Sequence, residues 1–144
     1  MEWSAAGLGS SFALGFAYFL AAIPAGAALG LSVPLAASAA WLGYTCGAAV
    51  VALPGAALRE WLSRKFRWNL SGKSHGWISA VWERFGIWGL GLVAPVTVGP
   101  QLGTLLAVSL GIRPVLAVAA FSVGVIPWSI GFGILTFFGT RLVD

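Results

Sequence analysis

The sequence predicts an all-α integral membrane protein built as an inverted repeat. Each half is a re-entrant hairpin followed by a transmembrane helix, with interfacial amphipathic helices between the halves. Three observations predict this. The 144 residues are 59% hydrophobic and 8% charged, with a mean hydropathy of +0.93, whereas a soluble domain carries about 25% charge. The charges are clustered, and residues 3–58, 85–112 and 114–140 contain none. Prolines then cut the apolar runs into a pattern of short pieces and long ones that occurs twice.

The length leaves room for one membrane domain over residues 1–144. It divides into repeat one (11–54), a basic interfacial segment (55–85) and repeat two (86–140). No Lys or Arg precedes Arg59, so the N-terminus lacks the basic region of a secretory signal and the first apolar stretch is expected to stay in the protein. Cys46 is the only cysteine, which rules out an intrachain disulfide. His75 is the only histidine, and the four carboxylates all lie outside the apolar runs. Metal and haem sites need several such ligands, so no cofactor is expected. No nucleophile–base pair stands out either, which argues against an enzyme.

A net charge of +4 and a pI near 10 invite a nucleic-acid reading. Topology accounts for the charge instead. Arg59, Arg64, Lys65, Arg67, Lys73 and Arg84 lie against Glu60 and Glu83 in one segment between apolar runs. That is the appearance of a positive-inside loop, so no nucleic-acid partner is expected. The segment is placed on the cytoplasmic side of what reads as a bacterial inner (plasma) membrane.

A spanning helix needs about 20 residues at 1.5 Å each. Leu35–Leu53, with 19 residues, and Val115–Phe138, with 24 and a kink expected at Pro127, meet that length. Other pieces are shorter. Ser11–Ile23 has 13 residues and Ala25–Val33 nine; Gly86–Ala94 has nine and Gln101–Ile112 twelve. Short pieces joined at a Pro/Gly break read as re-entrant hairpins. The first covers 11–33, turning near Pro24-Ala25-Gly26, and the second covers 86–112, turning within Pro95–Pro100. For 11–33 a single proline-kinked span fits equally well. For 86–112 the return is favoured, because it places Arg113 on the same side as the basic loop.

The polar middle has helical periodicity. Leu58, Trp61, Leu62 and Phe66 share one face of 57–70, opposite Arg59, Arg64 and Arg67; Trp77, Ile78, Val81, Trp82 and Phe85 repeat the pattern over 74–85. Asn69–Gly72 supplies the turn between them. Two amphipathic helices in the headgroup region follow, with Arg59, Trp61, Arg64, Lys65, Arg67, Trp77 and Trp82 as anchors to membrane lipid.

Two windows look alike. Leu29-Gly30-Leu31 precedes Pro34-Leu35-Ala36-Ala37, with Gly43 thirteen residues after Gly30. Leu110-Gly111-Ile112 precedes Pro114-Val115-Leu116-Ala117, with Gly124 thirteen residues after Gly111. One hairpin and one span per half would start the second repeat on the opposite side of the membrane. Inverted repeats with broken helices are a transporter design, because the broken ends expose backbone groups inside lipid.

The stretch Tyr18-Phe19-Leu20-Ala21-Ala22-Ile23-Pro24-Ala25-Gly26, followed by Gly30-Leu31, resembles the first repeat of the small multidrug export protein family. That family is similar to the DedA (SNARE-associated) membrane protein superfamily. Glu83-Arg84-Phe85-Gly86-Ile87-Trp88-Gly89-Leu90, with Ala94-Pro95 and Val98-Gly99-Pro100-Gln101-Leu102-Gly103, resembles its second repeat. The resemblance covers about residues 11–140. It implies re-entrant hairpins in inverted repeat and movement of lipid-linked phosphates or other amphiphiles. Tyr18 and Leu20 stand where that family carries an acidic and a basic residue, and the second turn, Pro95–Pro100, has no arginine.

The candidate site is the meeting point of the hairpin tips: Pro24, Gly26, Pro95, Thr97, Gly99, Pro100 and Gln101, with Arg113 attracting an anionic headgroup. Ser38, Tyr44, Thr45, Thr104 and Ser109 are the other polar groups within reach. Arg113 also reads as a snorkelling topology marker, and Thr97, Gln101 and Thr104 as satisfying backbone or cross-helix hydrogen bonds. Two functions follow. One is a small transporter-like protein moving a lipid-linked or amphiphilic anion. The other is an accessory or structural subunit of a larger membrane complex. The Gly26/Gly30, Gly43/Gly47 and Gly99/Gly103 pairs suit internal packing or a homodimer seam.

Overall fold

The computed structural model describes residues 5–54, 57, 60, 61, 64 and 76–143, the side chains of 76–83 and 143 excepted. Arg59, Lys65 and Arg67 lie outside the described residues, as does most of the first amphipathic helix. Trp61 and Arg64 are exposed. The backbone at Trp77 and Trp82 is helical.

Every described element is a helix: α1 (Ala5–Ala17), α2 (Phe19–Ala28), α3 (Val33–Ala52), α4 (Gly76–Thr97), α5 (Gly99–Ser109), α6 (Pro114–Gly124) and α7 (Ile126–Val143). Two runs, Val33–Ala52 and Pro114–Leu142, are long and apolar enough to cross a membrane. They match the two spans expected from composition to within a few residues.

Helix α3 is the hub, and α1, α2, α5, α6 and α7 all pack on it. Its buried positions are small: Ala36, Ala39, Ala40, Gly43, Gly47, Ala48 and Ala52, with Tyr44 the one large member. Small residues at helical spacing let backbones approach closely, and close approach gives apolar helices the van der Waals contact that holds them together in lipid. A Cβ built on Gly15 of α1 would overlap the backbone of Ala40, and one on Gly43 would overlap the Phe12 carbonyl. Helices α4 and α6 cross in the same way, Gly91 on Ala120 and Gly124 on Gly91.

Both short-helix pairs fold back on themselves. Ser11 and Gly26 lie 15 residues apart, about 22 Å along one rod at 1.5 Å per residue, yet a Cβ on Gly26 would strike Ser11 Oγ. Ala94 and Gly103 lie nine residues apart, about 13 Å along a rod, and a Cβ on Gly103 would sit 3.2 Å from Ala94 Cβ. Both are helical hairpins.

The first hairpin turns elsewhere than the prolines suggest. The chain breaks at Tyr18 (φ −152°, ψ 87°), and Pro24 sits inside α2. A break at Pro24 would leave only four helical residues before the turn at Leu29, too few for a stable arm. A break at Tyr18 gives an arm of ten. Within α2, Pro24 removes a single N–H donor, the one that would reach Leu20. The second hairpin turns at Val98, inside the expected Pro95–Pro100 window, with Gly99 at φ 75°. Its first arm is the part of α4 after Gly86, where φ 62° and ψ −149° bend the helix sharply.

The duplication extends to hydrogen bonds. Gly30 and Gly111, 81 residues apart, take φ of 84° and 88°. Leu31 N–H donates to Gly26 at 3.0 Å and Ile112 N–H to Ala107 at 3.1 Å; Gly30 donates to Ala27 and Gly111 to Val108, each at 3.0 Å. Both turns are Schellman caps, which need a left-handed residue at that point. The register continues through the N-caps Ser32 and Arg113, the fully buried Ala36 and Ala117, and the crossing glycines Gly43 and Gly124. It ends where Pro127 interrupts the second long run. Val125 and Ser129 still donate to Phe121 and Val125, at 3.1 and 2.9 Å, so α6 and α7 stay joined across the interruption.

Candidate functional site

Two interrupted helices supply the raw material. At Tyr18 the carbonyls ending α1 and the N–H groups opening α2 lack their ordinary helical partners, and the same holds at Val98 between α4 and α5. Neither α2 nor α5 has a side-chain N-cap. Polar backbone is thus exposed at two points inside an apolar bundle.

The two points meet. The Gln101 side-chain amide on α5 donates from Nε2 to the carbonyl oxygen of Phe16 on α1. Gly47 of α3 lies against both. A Cβ there would stand 3.2 Å from Phe16 O, 3.2 Å from Gln101 Nε2 and 3.3 Å from Pro100 Cγ. A methyl there would press on the Phe16 carbonyl, the Gln101 amide and the Pro100 ring together. One turn back on α3, the Tyr44 ring stands edge-on to Phe19, the first residue of α2, with centroids 5.6 Å apart and planes at 78°.

Two sets of hydroxyls stand out in this bundle. Ser38, Thr97, Ser109, Ser122 and Ser129 each donate to the carbonyl four residues earlier, so their polarity is spent locally. The hydroxyl oxygens of Ser11, Tyr44, Thr45 and Thr104 are buried without a hydrogen-bond partner. An unpartnered buried polar atom is uncommon enough to need a reason, such as an ordered water or a bound polar group.

The residues expected at the site are therefore divided. Gly99, Pro100 and Gln101 are at the meeting point, and Pro95 is buried on the adjoining arm. Thr97 is exposed and bonded to Val93 at 3.0 Å. Pro24 and Gly26 are not at the tip: Gly26 is buried under Ser11 along the hairpin, and Pro24 lines a groove of about 370 Å³ against Phe132, Leu135 and Thr136 of α7. Arg113 is exposed as the N-cap of α6 and makes no side-chain cap bond. All eleven residues of α5, about 16 Å of helix, separate it from the tip. The sequence reading grouped Arg113 with the tips because it flanks the second hairpin, but it flanks the base.

Gly47 and Phe16 are the members of the meeting point that the sequence reading missed or left without a role there. The Gly43/Gly47 spacing was visible and pointed to close packing. Nothing in the sequence marks Tyr18 as a turn.

A second groove, of about 440 Å³, runs between α3 and α7 and is lined by Trp41, Leu42, Ile126 and Ile130. Its hydroxyls, Ser38 and Ser129, are the self-bonded kind, so the groove is apolar in effect. Two indole N–H groups join the halves nearby or brace the second one. Trp41 donates to Ser122 O at 2.9 Å, and Trp128 to Leu92 O at 2.7 Å. Among the described residues no three His, Cys, Asp or Glu side chains come together as a metal site.

No family model, curated protein or solved structure matches the chain. The chemistry of the site rests on its own groups. They are neutral: the Gln101 carboxamide and the backbone donors and acceptors freed at the two breaks. Such a site can hold a polar group by hydrogen bonds within apolar walls, and can release it without stranding a buried charge.

Proposed function

We propose that this is a small membrane carrier of inverted-repeat design, with re-entrant hairpins, that moves an amphiphile with an anionic head such as a lipid-linked phosphate. One observation carries the reading: two folded-back hairpins from the two halves touch tip to tip on Gly47, through Gln101 and the Phe16 carbonyl. Broken helices whose ends meet within an apolar bundle are how carriers place polar contacts in lipid. The resemblance to small multidrug export and DedA-like proteins supports the same reading. Arg113, exposed at the base of the second hairpin, attracts the anionic head at the surface, and the apolar grooves beside α7 suit its chain. The basic 55–85 segment lies on the cytoplasmic side, among anionic lipid headgroups.

The test is a flip assay in proteoliposomes with a lipid-linked phosphate. The expected result is protein-dependent movement that slows in Arg113→Ala. No movement above protein-free vesicles overturns the reading for that substrate class.

The accessory-subunit reading has one observation in its favour. The outward face of α7 exposes Ile130, Ile134, Phe138 and Leu142, beside Gly131 and Gly139, where an added Cβ would meet nothing within 4 Å. Co-purification with another chain at fixed stoichiometry after mild extraction would favour it over the carrier.

A further inference from the structure

We propose that Gln101 is a one-sided latch that biases the carrier toward one of its two access states; this rests on the carrier reading above. In a protein of two equivalent halves, equivalent contacts hold the outward- and inward-closed forms equally. A population shift then needs a contact that exists in only one of them. The Gln101–Phe16 bond is such a contact. It joins α5 of the second hairpin to α1 of the first. The turns repeat at 81 residues and the tip breaks, Tyr18 and Val98, at 80. The counterpart of Gln101 is therefore Leu20 or Ala21, and neither carries a donor. The mirror-image bond, from the first tip to the end of α4, cannot form.

The surroundings suit a latch. The acceptor is a carbonyl freed by the break at Tyr18, so it gains a partner only while the latch is shut. The donor is neutral and half-buried, so opening strands no charge. Gly47 backs the bond from the third side, where a Cβ would stand in tight contact with both donor and acceptor. A single neutral hydrogen bond shifts a two-state equilibrium by about two- to tenfold, enough to set a resting state and small enough for a substrate to reverse.

The experiment uses the full chain in proteoliposomes without substrate. Cys46 is replaced by Ser, and Thr104→Cys serves as reporter, since Thr104 is fully buried one turn from Gln101. The labelling rate with a water-soluble maleimide is read. Gln101→Leu, which copies the first half, is expected to raise it about two- to tenfold. Gln101→Met, which keeps the length and loses the donor, is expected to act alike. Gly47→Ala presses on the same bond from α3 and is expected to move the rate in the same direction. It also decides the matter if the Gln101 variants do not fold. Thr97→Val, on the same tip but outside the bond, is the control. Unchanged labelling in the folded latch variants, or an equal rise in Thr97→Val, overturns the latch. A rise in labelling alongside absent substrate movement keeps the latch and removes the carrier; movement with unchanged labelling removes the latch alone.

Discussion

Trp41 on α3 donates its indole N–H to the carbonyl of Ser122 on α6 at 2.9 Å, and the two residues stand 81 apart, the register in which the halves repeat. A residue that touches its own counterpart lies where the two halves exchange equivalent surfaces, as on the axis of a two-fold interface. This contact ties the central helix of one half to the corresponding helix of the other. Trp41→Phe keeps the aromatic body and loses the donor, so it is expected to cost about 1 kcal/mol, the net worth of one hydrogen bond. Trp41→Ala also empties the space and is expected to cost about 3 kcal/mol or more. Reversible unfolding in detergent measures both.

The crossing glycines predict a paired effect. Gly43→Ala and Gly124→Ala each drive a methyl into the backbone of a partner helix, and overpacking of this kind costs about 1–3 kcal/mol. Backbone cannot rotate away, so the cost is expected near the upper end for both. Gly131→Ala and Gly139→Ala meet nothing within 4 Å and gain from alanine's helix propensity, about 0.5–1 kcal/mol each. The same unfolding assay is expected to give opposite signs for the two pairs. Like signs would mean that the crossings are looser than described.

Much of this architecture was legible before any coordinates, and the reasons divide by scale. Long uncharged runs fix helix length, so Val33–Ala52 and Pro114–Leu142 were visible to within a few residues. Gly30 and Gly111 were legible because a Leu-Gly-apolar turn before proline is local chemistry. The Pro95–Pro100 turn was legible for the same reason, with Gly99 supplying the positive φ. Tyr18 was not. It carries no turn signal, and the contacts that accompany its break are tertiary: Phe19 on Tyr44, and Gly26 beneath Ser11. Pro24 misled because, inside α2, it removes one backbone bond without ending the helix. The site was half legible. Gln101 stood beside a visible turn, but its partner is a backbone carbonyl 85 residues away, which no local pattern encodes.

The unpartnered hydroxyls make a prediction with two distinguishable outcomes. Thr104 is fully buried and its Oγ1 has no partner. If the hydroxyl is dry, Thr104→Val removes a desolvated polar atom at equal volume and is expected to stabilise by about 1 kcal/mol. Thr97→Val, at an exposed and self-bonded hydroxyl, is expected to change stability by under about 0.5 kcal/mol. A loss of stability in Thr104→Val would show instead that the hydroxyl holds a water or a polar ligand group in the working protein.

The turn register gives the sharpest test of the inverted arrangement. Ser32 and Arg113 are counterparts, each the N-cap of the first long helix of its half. Parallel repeats would put both on one face of the membrane, and inverted repeats put them on opposite faces. With Cys46 replaced by Ser, single cysteines at 32 and 113 are expected to label from opposite sides of sealed vesicles. Cysteine at 84, at the exposed end of the basic segment, is expected to label with 113. Cysteine at 141, beyond the second span, is expected to label with 32. If 32 and 113 label from the same side, a hairpin crosses the membrane where it is proposed to return. The two tips would then no longer approach the mid-membrane from opposite faces, and the latch would have no second access state to oppose.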